Sequence, residues 1–105
     1  MMRLREKQSQ FVLAVGKLIL FAYDKGFELS FGDTYPSLAK HIENSFHGKG
    51  LAIDLNLFKD NKFLRSTVAH QELGDFWESL GGTWGGHWGD GNHYSWGEGC
   101  SATKV

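Results

Sequence analysis

The sequence has 105 residues, 41% hydrophobic and 22% charged, which is ordinary for one globular domain spanning residues 1–105. Net charge is −1 at a pI near 6.5, so the basic field that draws nucleic acid or anionic lipid is absent. A single cysteine, Cys100, excludes an internal disulfide and is expected as a free thiol.

From the N-terminus, residues Leu4 to Lys25 read as a helix. Leu4, Phe11, Val15, Leu18 and Ala22 recur at helical spacing, and Val12, Ile19 and Leu20 widen the stripe, which predicts a well-buried helix. Gly26 is placed to end it. The apolar run inside it, FVLAVGKLILFAY, is interrupted by Lys17 and followed by no small-residue cleavage site. We therefore read it as an amphipathic helix, with neither a signal peptide nor a membrane span.

Phe27 to Asp33 alternates apolar and polar residues as a short strand does. Thr34 to Ser37 is a turn, and Leu38 to Asn44 has the length of one or two helical turns. Leu51 to Phe58 is the clearest strand. Leu51, Ile53, Leu55 and Leu57 share one face, and Ala52, Asp54, Asn56 and Phe58 the other. Lys59 to Lys62 then forms a hairpin turn into Phe63–Ser66. Ser66 to Leu80 reads as a second helix with Ala69, Leu73, Phe76, Trp77 and Leu80 on its apolar face. His41 and His70 are expected on helix surfaces and His87 in a solvent-facing loop.

Glycine numbers 14, and eight of these fall between Gly81 and Gly99, beside Trp84, Trp88 and Trp96. No single period fits this segment, which reads as loops around a short strand near Asn92 to Trp96. Trp84 and Trp88 could flank a substrate groove or hold the glycine-rich loop together. Tyr94 could reach a site through its hydroxyl or pack in a core.

A carboxylate in the middle of an apolar strand asks for a reason. Asp54 lies beside the small Ala52 on the face opposite the leucines, seven positions after His47, and His93 follows far downstream. Two imidazoles and one carboxylate suit a catalytic zinc with its fourth position left to water. The bland alternatives are a surface histidine and a strand aspartate held by hydrogen bonds.

The wider pattern is more specific. Ser45, His47, Gly50, Ala52 and Asp54 spell S-x-H-x-x-G-x-A-x-D, and Asp90 precedes His93 by three residues in DGNH. This resembles the zinc D-Ala-D-Ala peptidase family, which includes VanY-like carboxypeptidases, dipeptidases and phage L-alanyl-D-glutamate endopeptidases. KQSQF, GDTY, LAIDLNLF and FWESLGG also resemble its small phage members.

The resemblance implies an α+β fold of the hedgehog/D-Ala-D-Ala-peptidase type, a small antiparallel sheet carrying the zinc site and packed against two main helices. It implies one zinc ion held by His47, Asp54 and His93, with Asp90 as general base and acid. Glu98 is a weaker rival for that role because it follows His93. Ser45 would orient a ligand by hydrogen bond. The family commonly carries an arginine after GD-x-Y, where this chain has Pro36. Lys40, Lys49 or Arg65 would then supply the cation, or the chain would be an impaired zinc-containing binding domain. The implied substrate is a peptidoglycan stem peptide, cut by a monomeric endopeptidase of phage or prophage origin. D,D-carboxypeptidase or dipeptidase activity is the alternative within the family. The implied setting is the host bacterial cytoplasm, with holin-mediated release to the cell wall.

Overall fold

A computed structural model describes residues 3–32 and 49–97. The predicted turn and helical turns of 33–48 lie outside these residues. So do Pro36, Lys40, His41, Ser45, His47, Glu98 and Cys100. Helix α1 (Leu4–Asp24) is followed by strands β1 (Glu28–Phe31), β2 (Ala52–Lys59) and β3 (Lys62–Leu64). A 3-10 turn (Val68–His70) leads into helix α2 (Gln71–Ser79). After it come β4 (Thr83–Trp84), a second 3-10 turn (Gly85–Trp88) and β5 (His93–Ser95).

Helix α1 ends as expected at Gly26. The backbone N–H of Phe27 bonds the carbonyl of Ala22 and that of Gly26 bonds Tyr23, closing a Schellman motif around a glycine at φ +88°. Its buried stripe is narrower than the sequence predicts. Phe11, Ala14, Val15, Leu18 and Ala22 are buried, whereas Leu4, Val12, Leu13 and Leu20 are exposed. The helix has one side against the rest of the protein, so residues off that stripe meet solvent. Among the described residues no helix is long and apolar enough to cross a membrane.

Strand β2 is the centre of an antiparallel sheet. β1 pairs with residues 55–58 along one edge. On the other edge β5 pairs with 52–54 and β3 with 57–59. β4 lies outside β5. The β2–β3 connection is a two-residue turn in which Asp60 and Asn61 take φ of +52° and +65°. Both belong to the left-handed region that suits the twist of a hairpin, and Asp and Asn tolerate it better than other side chains.

The two faces of β2 differ as their alternation requires. Leu51, Leu55 and Leu57 join α1, Leu73, Trp77 and Tyr94 in one hydrophobic cluster. Phe21 and Phe76 stack at 4.1 Å between the two helices. Burying a leucine or larger side chain contributes about 1.5–3 kcal/mol, so this row is what fixes which way β2 faces. Asp54 and Asn56 project on the opposite side.

Candidate active site

Asp54 and His93 are direct partners across the β2–β5 ladder. Opposed residues on antiparallel strands project to the same face with Cβ atoms about 5 Å apart. Their side chains therefore converge although they are remote in sequence. Asp54 Oδ1 lies 3.5 Å from His93 Nδ1, and both side chains are nearly buried. That separation is long for a hydrogen bond. It matches the roughly 3.4 Å between two atoms that both lie about 2.0–2.1 Å from one tetrahedral zinc. A carboxylate oxygen and an imidazole nitrogen are also ordinary zinc donors. Asp54 and His93 thus fit two of the three expected ligands, and the third, His47, is outside the described residues. Among the described residues alone, no cluster of three or more ligating side chains forms.

Asp90 starts the turn that delivers His93. Its carbonyl accepts the His93 N–H at 3.1 Å, and its own N–H bonds Gly85 at 2.9 Å. The residue is exposed, three positions before His93 in the chain. Gly85 is obligatory here. A Cβ at that position would lie 2.3 Å from the Asp90 carbonyl oxygen and 2.8 Å from the His93 Cβ.

The tryptophans divide between core and site. Trp84 is buried and donates its indole N–H to the Gly91 carbonyl at 2.7 Å, which ties down the loop carrying Asp90. Trp88 is half-buried, its ring 5.9 Å from that of His93, so it flanks the ligand. Trp77 is core, as expected, and donates to the Ser95 carbonyl in β5.

Two histidine expectations have different outcomes. His87 is exposed in its loop and binds Glu78 through Nε2 at 2.8 and 2.9 Å. His70 is not a surface residue. It is 2% exposed, at the junction of the 3-10 turn and α2, with its Nδ1 2.9 Å from the Tyr94 hydroxyl. Burial pushes its pKa down to about 4, so the ring is neutral. Tyr94 correspondingly resolves to the core. It is fully buried, desolvation raises its pKa, and its hydroxyl is spent on His70 rather than on substrate.

A cavity of about 250 Å³ is lined by Asn56, Arg65, Thr67, His70, Asp90 and Asn92 among others, residues that neighbour Asp54 and His93 in the chain without including them. Arg65 therefore shares a cleft with the expected base. Lys49 does not line it; its carbonyl accepts a hydrogen bond from Gln8, beside α1. The sequence reading offered Trp84 as a holder of the glycine-rich loop, the role it has here, and missed Gly85 and the His70–Tyr94 pair. The dense glycines around Trp84 were the one available signal.

A family model described as D-alanyl-D-alanine carboxypeptidase matches residues 39–96, more than half of the chain. The chain belongs to this family. The match covers the positions of all three expected ligands and of Asp90, and it makes the protein a member of a peptidase family. No curated protein matches the chain.

Proposed function

We propose that this protein is a zinc-dependent peptidase that hydrolyses an amide bond in peptidoglycan stem peptides, specifically the L-alanyl-D-glutamate bond, as a phage or prophage endolysin. The observation that carries the reading is the facing pair Asp54 and His93, set at the spacing of two ligands on one ion with Asp90 opening the same turn. A zinc bound by His47, Asp54 and His93 would polarise the scissile carbonyl and acidify a water molecule. Asp90 takes the proton from the attacking water and passes it to the leaving amine nitrogen. Its exposure suits that traffic, because the group must meet water and substrate in turn. Trp88 bounds the site beside His93, and the Trp84 anchor keeps the Asp90 turn in place.

The description of the matched family favours a second reading, release of a terminal D-alanine by the same residues. Digestion of peptidoglycan by zinc-loaded protein, with the products weighed by mass spectrometry, separates the two. New L-alanine carboxyl and D-glutamate amino ends are expected. Release of D-alanine alone would move the assignment to a carboxypeptidase. Bound zinc without any cleavage would mean a binding domain.

A further inference from the structure

Of the cations that could stand in for the arginine absent at Pro36, Arg65 lines the cavity and Lys49 does not. Asn56 shares the Asp54 face of β2, two residues along and so about 7 Å away, and Asn92 directly precedes His93. The cavity therefore opens next to the pair, bounded by their chain neighbours Leu55, Asn56 and Asn92. Two of its lining residues have charged-type side chains: Asp90 and Arg65. The rest are apolar groups, amides, a hydroxyl and the buried neutral His70.

Arg65 follows β3 directly, where the tight Asp60–Asn61 turn returns the chain alongside β2. Its guanidinium lies 5.9 Å from the centre of the Phe63 ring, a contact that steadies the plane and leaves the donor edges available. Among the described residues it forms no ion pair. Asp54 and Asp90 give the site a negative character that would repel an acidic peptide, and Arg65 is the cavity's opposing charge.

We propose that Arg65 is a substrate-binding residue, and that the cavity is a subsite for a peptide carboxylate next to the scissile amide. The inference rests on the peptidase reading. It fits the stem peptide chemically, since both candidate bonds have a free carboxylate beside them. In one case it is the α-carboxylate of γ-linked D-glutamate, and in the other the terminal carboxylate of D-alanine. A forked guanidinium recognises such a group through two parallel hydrogen bonds.

The test compares wild type, Arg65→Met and Arg65→Lys, each loaded with zinc. The substrates are two peptide pairs, each as the acid and as the carboxamide at one of these carboxylates. Arg65→Met should lower kcat/KM for the acid by roughly 10- to 100-fold, the range for a lost charge-assisted hydrogen bond. The carboxamide should be cut equally by wild type and variant, and Arg65→Lys should recover part of the loss. The pair showing the effect identifies the carboxylate. Equal losses on acid and carboxamide, or no loss on either, overturn the proposal; equal losses would mean that Arg65 acts on Asp90 or on folding. If wild type cuts neither pair, the peptidase reading fails instead. NMR titration with N-acetyl-D-alanine and its carboxamide then decides separately. An Arg65-dependent preference for the acid upholds the subsite, and equal affinities in both proteins overturn it.

Discussion

Asp54 and Asp90 have the same functional group, yet the fold gives them different surroundings. Asp54 is 7% exposed and fixed on a strand, which suits a ligand that must not move. Asp90 is exposed at the start of a turn, which suits a group that exchanges protons. Asp90→Asn should therefore keep zinc and fold while losing about 10²–10⁴ in turnover. Zinc content measured beside peptide cleavage checks this, and a variant with full activity would remove Asp90 from the mechanism. His70 allows a prediction independent of catalysis. Its ring is neutral in the fold with a pKa near 4, against 6.5 in the unfolded chain. In that window the unfolded state binds a proton that the native state refuses, so stability falls as pH drops from 6.5 toward 4. The loss from this group is about 2 kcal/mol near pH 5. His70→Asn keeps an acceptor for the Tyr94 hydroxyl but cannot titrate. Urea midpoints of the variant should change less with pH than those of wild type.

Between elements, the tryptophans do what no single strand could. Trp84 is clamped between α2 and its own loop: a Cβ at Gly74 would lie 2.1 Å from the ring, and one at Gly86 would lie 2.3 Å from it. The local excess of glycine thus answers a packing need, since flat indoles approach the backbone only where side chains are missing. Trp84→Phe retains most of the apolar surface and removes the donor to Gly91. The abandoned buried carbonyl should cost about 1–3 kcal/mol. Turnover should fall as well, because that bond holds the turn of Asp90. Denaturant unfolding and cleavage assays on one preparation would test both, and unchanged values would dismiss the anchor. Gly74→Ala should destabilise more, by overpacking. These effects explain what was legible in the sequence. The leucine alternation of β2 and the Asp60–Asn61 turn are local signals, and they were readable. β4 is two residues long, too short for any period, and the turn at Gly85–Trp88 exists because glycines admit Trp84. Val12 and Leu20 misled because periodicity cannot tell how much of a helix a small sheet covers.

Across the molecule, the meeting of Asp54 with His93 was legible because the motif constrains residue type and spacing, and what depends on folding back was not. His47, Asp54, Asp90 and His93 follow a motif. That Arg65, and not Lys49, meets the cleft depends on the length of the β2–β3 hairpin. That His70 turns inward depends on a tyrosine one strand away. The same long-range closure sets how metal and stability are linked. Asp54 is on β2 and His93 on β5, so an ion bridging them cross-links strands that only this ladder otherwise joins here. A preformed zinc site does not exist in the unfolded chain, and binding free energy is therefore added to folding. At a hundredfold excess over Kd the gain is about 2.7 kcal/mol. In a chain of this size that corresponds to roughly 10–20 °C in Tm. Removing zinc with a chelator should lower Tm by that amount, and readdition should restore it. Asp54→Ala should melt at the same temperature with and without zinc, whatever its own stability. A wild type whose melting ignores zinc would show that the facing carboxylate and imidazole do not share an ion.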